Sequence, residues 1–239
     1  MGNLLMDIFF PQNVCCICRE PGRFGTKNPW CSSCDEVMNV IKQELPICDK
    51  CGKYMVEDKH LCSECSSKCP EFNIARAVGP YEEPYRIVVK VFKFLGRKNL
   101  AVKMGFLMAQ AVLNEPRFWP IDLIVPVPTT KSQLKQRGFN QTELLAKQIS
   151  KHLKTKADLD VLYRIKETPA QRELSKEERE KNLLCAFRVK DKQKVYEKNI
   201  LLVDDIYTTG STGRECTRTL IRGGAKSVSI ITWATGKGF

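Results

Sequence analysis

The chain has 239 residues, of which 43% are hydrophobic, enough for one α/β domain of ordinary size and a smaller appendage. No stretch approaches 18 apolar residues, so the composition excludes a membrane-spanning helix. The first residues also lack the basic leader and the apolar run of a signal peptide. We therefore expect a cytoplasmic protein with no membrane insertion.

The net charge of +12 is concentrated in one part of the chain. Residues 1–80 contain 9 Lys and Arg against 10 Asp and Glu, whereas residues 81–239 contain 30 against 17. A basic surface attracts polyanions at low salt, so this excess is either a contact surface for single-stranded DNA or an ordinary solvated face. The basic residues that the first interpretation selects are Lys90, Lys93, Arg97 and Lys98.

Residues 1–72 are rich in cysteine. Ten of the 12 cysteines precede residue 70, and eight of them form four Cys-x-x-Cys pairs in two near-repeats. A Cys-x-x-Cys turn directs both sulfurs at one tetrahedral centre, and disulfides are disfavoured in the cytosol. We therefore expect structural zinc, which would supply much of the folding energy of this region. The predicted zinc ligands are Cys15, Cys18, Cys31, Cys34, Cys48, Cys51, Cys62 and Cys65.

Two arrangements of these pairs are compatible with the sequence. Sequential pairing gives two Cys₄ ribbons, one in each repeat, whereas a crossed arrangement places the first and third pairs on one ion. Three further residues rank lower as ligands: Cys16, Cys69 and His60. Cys185 and Cys216 are isolated, and we expect both to be ordinary buried residues.

Residues 73–239 alternate between predicted strands and predicted helices. Predicted strands cover residues 74–81, 121–128, 161–165, 200–205 and 228–233. A helical pattern interrupted at Gly96 covers residues 84–114, and further helices are predicted to end near residues 153 and 221. This alternation predicts a mostly parallel sheet flanked by helices, with the cysteine-rich part as a small additional domain.

Residues 200–212, Ile-Leu-Leu-Val-Asp-Asp-Ile-Tyr-Thr-Thr-Gly-Ser-Thr, form the strongest functional motif. An apolar strand ends in Asp204 and Asp205, and a turn with one glycine leads into a helix. Such a turn directs backbone N–H groups and the helix dipole at a phosphate, while the carboxylates suit sugar hydroxyls or water bound to Mg²⁺. The combination predicts a ribose 5-phosphate site. Its predicted phosphate ligands are Thr208, Thr209, Gly210, Ser211 and Thr212.

This motif resembles the phosphoribosyl-diphosphate (PRPP) binding motif of type I phosphoribosyltransferases. The chain as a whole resembles the late-competence ComF family through a set of motifs in the same order. They are the cysteine pairs, Lys93-Phe-Leu-Gly, Val125-Pro-Val-Pro-Thr, Arg137-Gly-Phe-Asn-Gln, Thr168-Pro-Ala-Gln and the motif at 200–212. The resemblance implies a zinc-ribbon domain at residues 1–72 and a phosphoribosyltransferase-like α/β domain at residues 73–239. It also implies a role in uptake and processing of single-stranded DNA during natural transformation, with a helicase-like ATPase (ComFA-like) as partner.

The resemblance further implies roles for individual residues. Asp204 and Asp205 would hold the ribose hydroxyls of PRPP and are the candidate catalytic residues, and residues 208–212 would hold the 5-phosphate. The candidates for the diphosphate, which binds with Mg²⁺, are Pro128 and Thr129 in the loop 126–130. Arg137 could reach either phosphate group. Gln171, Arg172 and Lys176 belong either to a mobile loop that closes over the diphosphate or to an exposed helix with charges at i, i+4 spacing.

Three functional hypotheses are compatible with these motifs. An active phosphoribosyltransferase of nucleotide metabolism would displace diphosphate from the anomeric carbon, with an acceptor that the sequence does not identify. A binding module would hold single-stranded DNA through backbone charge and base stacking, with Phe92, Phe94 and Phe139 as aromatic candidates. A PRPP sensor would convert ligand binding into a changed affinity for a partner.

Overall fold

The computed structural model describes residues 14–22, 24, 25, 28–43, 46–56, 59–165 and 185–238. The α-helices in these ranges are α1 (Ser32–Gln43), α2 (Ser63–Lys68), α3 (Tyr85–Phe94), α4 (Leu100–Leu113), α5 (Lys131–Arg137), α6 (Gln141–Leu153) and α7 (Ser211–Arg222). The strands are β1 (Ala75–Pro80), β2 (Leu123–Pro126), β3 (Leu162–Arg164), β4 (Phe187–Val189), β5 (Asn199–Tyr207) and β6 (Ser227–Thr235). Two short 3₁₀ helices cover Pro116–Phe118 and Lys192–Lys194.

The main sheet is parallel and has the strand order β1–β6–β5–β2. Strands β3 and β4 form a separate antiparallel pair. The predicted parallel sheet flanked by helices is confirmed, whereas the three-residue strand β4 and the short helix α5 were absent from the sequence prediction. Because all four main strands run in one direction, their carboxyl ends meet at one edge of the sheet, where open α/β sheets bind ligands.

Strand β5 is apolar along its length because both of its faces are covered. Leu201 and Val203 pack into a core shared with α3, α4 and α6. Ile200 and Leu202 pack into a second core on the opposite face, which α7 covers. Successive side chains of a strand point to opposite faces, so the same alternation sets the directions of the two carboxylates that follow.

The cysteine-rich region contributes to both cores. Cys15 and Cys34 belong to the core on the α3, α4 and α6 face, whereas the cysteines of the second repeat belong to the core on the α7 face. The Arg76 guanidinium, which extends from β1, donates hydrogen bonds to the backbone carbonyls of Cys48 and Asp49, at 3.4 and 3.0 Å. The cysteine repeats are therefore packed against the sheet, and the boundary between residues 72 and 73 stays a prediction.

The helical pattern of residues 84–114 is interrupted as predicted. Helix α3 ends at Phe94, Gly96 has a positive φ of 63°, and α4 begins at Leu100. Among the helices that the structure describes, none combines the length and the apolar composition that crossing a bilayer requires.

The two isolated cysteines differ from each other. Cys216 is fully buried in α7, as predicted. The prediction that Cys185 is buried is wrong, because this residue is exposed. It lies just before the short strand β4 with a φ of 55°, where its backbone N–H donates a hydrogen bond to Glu215. The backbone is anchored there, and the side chain is left at the surface.

Candidate functional site

The carboxyl ends of β2 and β5 lie side by side. Pro126 pairs with Val203, and the backbone N–H of Val127 donates a 2.9 Å hydrogen bond to the carbonyl of Val203. The loop after β2 therefore runs next to the motif loop after β5. Pro128 and Thr129 in this loop are half-buried, and the Thr129 hydroxyl donates a hydrogen bond to the Gln133 side chain. Pro128 and Thr129, two of the candidates for the diphosphate, thus lie at the edge that carries the motif.

Asp204 and Asp205 point to opposite faces of β5. Asp205 lies on the face of α3, where its carboxylate forms an ion pair with the Lys93 ammonium at 2.8 Å. The two side chains are only 10% and 15% exposed, so solvent screens this pair weakly. Asp204 lies on the face of α7, within electrostatic range of Arg164 and of the buried Cys216. The two carboxylates therefore lie on different sides of the end of β5.

The pKa of Asp204 is raised to about 7. Burial is the main cause, because it disfavours the charged form, and the adjacent Asp205 carboxylate adds repulsion. The positive charges of Lys93 and Arg164 oppose the shift but do not cancel it. Asp204 therefore changes its protonation state near neutral pH, where a ligand with hydroxyl groups or a bound cation would favour the ionised form.

The phosphate loop, residues 208–212, joins β5 to α7. Gly210 is the N-cap of α7 with a φ of 69°, and the first helical hydrogen bond runs from the Arg214 N–H to the Gly210 carbonyl at 2.8 Å. The backbone N–H groups of residues 211–213 precede that bond and have no acceptor within the helix. They lie at the positive end of the helix dipole, which is the arrangement that binds a phosphate group.

Gly210 is required by two independent features. Its positive φ is unfavourable for residues with a side chain. In addition, a Cβ atom at this position would lie only 2.3 Å from the hydroxyl oxygen of Tyr207. Tyr207 is 5% exposed and packs edge-on against Phe72 with ring centroids 6.2 Å apart, so it has little room to withdraw. The buried tyrosine therefore sets the floor on which the phosphate loop lies.

The predicted nucleic-acid residues divide into two groups. Lys93 faces the candidate sugar-phosphate site through its ion pair with Asp205. Lys90 and Lys98 are exposed, and Arg97 is half-buried. The Lys98 ammonium also lies 5.1 Å from the centre of the Phe139 ring. Lys90, Arg97 and Lys98 stay candidates for a DNA surface, whereas the Lys93 ammonium contacts Asp205 at the candidate sugar-phosphate site.

The aromatic candidates are mostly in the core. Phe92 is fully buried and Phe139 is 8% exposed, with ring centroids 5.8 Å apart. Burial of both side chains leaves neither ring with a face on which a base could stack. Phe94 is 45% exposed, and the Arg137 guanidinium lies 5.6 Å from its ring centre. Arg137 also donates a 3.0 Å hydrogen bond to Gln141, which fixes it at the start of α6, beyond the loop that follows β2.

The eight cysteines of the Cys-x-x-Cys pairs form two separate clusters, and each cluster consists of the four cysteines of one repeat. Within each cluster the sulfur atoms all lie within 4.8 Å of one another, with closest pairs at 3.7 to 3.8 Å. Four thiolates at about 2.3 Å from a tetrahedral zinc ion are about 3.8 Å apart, so both clusters fit Zn²⁺. The structure has the sequential arrangement and not the crossed one. Four sulfur ligands saturate the ion and indicate a structural role.

The lower-ranked ligand candidates lie outside these clusters. The His60 side chain is almost completely exposed, and its Nδ1 atom lies 3.0 Å from the Asp49 carboxylate. Cys16 is buried, and burial raises its thiol pKa to about 12. Cys69 is exposed at the end of α2. The residues predicted for the closing loop, Gln171, Arg172 and Lys176, lie outside the described residues.

Several residues of the site carry no signal in the sequence that marks them as site residues. Tyr207 reads as part of an apolar strand, and Arg214 reads as a surface residue of a helix. Arg214 nevertheless donates a hydrogen bond to the carbonyl of Thr209 in the phosphate loop, at 2.8 Å. Their position one residue before and two residues after the phosphate loop is the only sequence feature that could have identified them.

Comparison with known proteins matches both halves of this architecture. Residues 5–66 match the double zinc ribbon domain family, and residues 141–238 match the phosphoribosyl transferase domain family. DNA utilization protein YhgH of Salmonella typhimurium is 31% identical over 223 residues, which cover 91% of this chain and 94% of that protein. Competence protein F of Haemophilus influenzae is 30% identical over 230 residues, covering 95% and 97%. Competence protein ComFC of Bacillus subtilis is 28% identical over 214 residues, covering 84% and 82%.

Proposed function

This chain belongs to the ComF family of competence proteins, and from that premise we propose that it binds PRPP with Mg²⁺ at the carboxyl edge of its sheet. The observation that carries the proposal is the end of β5, where Asp204 and Asp205 precede the glycine-capped N-terminus of α7. Backbone N–H groups that can donate to a phosphate lie there beside two carboxylates that can accept hydrogen bonds from hydroxyl groups. A ribose 5-phosphate presents the complementary groups in that order.

Different residues of the site bind different parts of the ligand. The backbone N–H groups of residues 211–213 and the hydroxyls of the phosphate loop hold the 5-phosphate. Asp204 and Asp205 accept hydrogen bonds from the ribose hydroxyls. Lys93 orients the Asp205 carboxylate and places a positive charge beside the bound ligand, while Pro128, Thr129 and Arg137 border the diphosphate. Mg²⁺, when bound, supplies the charge neutralisation that a diphosphate needs.

The cellular role we propose is the uptake and processing of single-stranded DNA in the cytoplasm during natural transformation, with a helicase-like ATPase as partner. The names of the relatives, competence protein and DNA utilization protein, support this role. The positive excess of residues 81–239 and the exposed Lys90 and Lys98 support a contact with a polyanion.

Titration calorimetry tests the ligand proposal. We expect one mole of PRPP to bind per mole of chain in the presence of Mg²⁺, and Asp205→Asn to weaken this binding by at least tenfold. Asp122→Asn is the matched control, since Asp122 caps the amide and side chain of Asn199 at the opposite end of β5. If the wild-type chain produces no binding heat, or if both variants bind equally well, the proposal is wrong.

A single-turnover assay separates binding from catalysis. Release of diphosphate from PRPP in the presence of a cell extract, lost in Asp205→Asn, would assign a transferase activity to the site. Binding of PRPP without release, accompanied by a changed affinity for an oligonucleotide, would assign a sensor function.

A further inference from the structure

Glu64 lies between two ligands of the second cysteine cluster, Cys62 and Cys65, in the first turn of α2. Its carboxylate contacts two cations, the Lys53 ammonium at 2.7 Å and the Arg214 guanidinium at 3.1 Å. All three side chains are nearly buried, with exposed fractions between 7% and 13%. Charges removed from water in this way are tolerated only where their geometry is fixed, so the three residues form a rigid link.

Arg214 extends this link into the phosphate loop. The nitrogen that contacts Glu64 also donates a 2.8 Å hydrogen bond to the backbone carbonyl of Thr209, and the other terminal nitrogen lies 3.4 Å from the Ser211 hydroxyl. The peptide group is planar, so fixing the Thr209 carbonyl also fixes the direction of the Gly210 N–H. One guanidinium therefore connects the cysteine cluster to the orientation of the loop amides.

A second connection reaches the loop from the same side. The Lys53 ammonium, held by Glu64, lies 5.9 Å from the centre of the Tyr207 ring, and this ring forms the floor below Gly210. The chain beyond β6 is tied to the same ribbon, because the Gly238 N–H donates a 2.7 Å hydrogen bond to the carbonyl of Tyr54. The first cysteine cluster, in contrast, packs on the opposite face of the sheet.

We propose that the second Cys₄ ribbon is a positioning element of the phosphate loop, and that Glu64 and Arg214 are the positioning residues that connect them. Zinc bound by the four cysteines fixes α2, and α2 fixes the Glu64 carboxylate against Arg214. The loop amides are then held in the orientation that receives a phosphate monoester. The identity of the ligand as PRPP rests on the function proposed above, whereas the coupling between ribbon and loop does not.

The test compares two carboxylates that both form ion pairs with α7. Glu64→Gln keeps the shape of the side chain and removes the charge that Arg214 requires. Glu71→Gln is the control. The Glu71 carboxylate lies 3.5 Å from the guanidinium of Arg218, which is one turn after Arg214 in α7, and the Glu71 side chain is about half exposed. Both variants should retain two zinc ions per chain. Glu64→Gln should bind PRPP–Mg²⁺ about tenfold more weakly, within the range of ordinary coupling energies, and Glu71→Gln should bind it like the wild type.

Hydrogen exchange of the loop amides gives a readout that needs no ligand. The coupling predicts exchange at residues 209–213 about tenfold faster in Glu64→Gln than in Glu71→Gln. Equal exchange in the two variants overturns the coupling, whatever the ligand. Absence of PRPP binding by the wild-type chain, together with faster exchange in Glu64→Gln, overturns only the identity of the ligand.

A second variant covers the case in which Glu64→Gln does not fold. Arg214→Lys keeps the positive charge beside Glu64, but an ammonium cannot reach Glu64, Thr209 and Ser211 together. It should show the same faster exchange of the loop amides with unchanged zinc content. Wild-type exchange in Arg214→Lys overturns the proposal.

Discussion

Replacement of Gly210 by alanine tests the geometry of the phosphate loop most specifically. The alanine must adopt a φ of 69°, and its Cβ atom would lie 2.3 Å from the Tyr207 hydroxyl oxygen. A left-handed conformation costs a residue with a side chain about 1–2 kcal/mol. Overpacking against a buried group costs about 1–3 kcal/mol. The two contributions lower the free energy of unfolding by about 2–5 kcal/mol unless the loop moves away from Tyr207.

Movement of the loop relieves the clash at the expense of ligand binding. If α7 and the loop shift together, the N–H groups of residues 211–213 no longer converge on one phosphate. We therefore expect Gly210→Ala to combine a lower free energy of unfolding, measured by urea titration, with an affinity for PRPP–Mg²⁺ reduced by at least tenfold, measured by calorimetry.

Gly224 provides the matched control at the other end of α7. It also has a positive φ, of 103°, but an added Cβ there would meet only Tyr196, at 3.1 Å. Tyr196 is 65% exposed and can rotate away. Gly224→Ala should therefore lose about 1–2 kcal/mol of stability and keep its affinity for PRPP. Equal losses of stability and equal affinities for PRPP in Gly210→Ala and Gly224→Ala would contradict this role of Gly210.

Four further results follow from the structure. Affinity for PRPP–Mg²⁺ should rise as the pH is raised through about 7, because the ionised Asp204 carboxylate accepts hydrogen bonds from ribose hydroxyls more strongly than its protonated form, and Asp204→Asn should remove this contribution to the pH dependence. Lys93→Met should reduce the free energy of unfolding by about 3–5 kcal/mol, because it leaves the Asp205 carboxylate buried without its cation. Adding Asp205→Asn should restore part of the loss in urea titrations, and a double variant no more stable than Lys93→Met would contradict this. Chelation should remove two zinc ions per chain and lower the melting temperature, and an unchanged melting curve would contradict a structural role for the metal. Joint replacement of Lys90 and Lys98 by glutamate should reduce the salt dependence of oligonucleotide binding by a log–log slope of about 1.4 and leave PRPP binding unchanged; an unaltered slope would exclude this surface.

The parallel sheet and the motif strand could be predicted because their signals are local. The apolar run that precedes Asp204 indicates a strand that is buried on both faces, and the turn residues around Gly210 indicate where α7 begins. The break at Gly96 is similarly local. Such features depend on neighbouring residues in the chain, so the sequence contains them directly.

The contacts that complete the site could not be predicted, because they join distant parts of the chain. Lys93 and Asp205 are 112 residues apart, and Glu64 and Arg214 are 150 residues apart. Lys93 stands in a basic helix, so its sequence context favoured a DNA surface. The three-dimensional structure is needed to show that its ammonium faces Asp205.

The pairing of the cysteines into two clusters could not be predicted either, because it also depends on contacts between distant parts of the chain. The four Cys-x-x-Cys pairs allow sequential or crossed pairing, because the connecting segments are long enough for both. Packing of one cluster on each face of the sheet favours the sequential form, since the two repeats end on opposite sides of β1. The exposure of Cys185 likewise depends on where the short strand β4 lies relative to α7.

A crystal structure of the protein with PRPP and Mg²⁺ is the decisive test of the proposed site. We expect the 5-phosphate within hydrogen-bonding distance of the backbone N–H groups of residues 211–213, with the ribose hydroxyls against Asp204 and Asp205. Density for the ligand at another place, or an N-terminus of α7 that stays without phosphate at saturating PRPP, would contradict it.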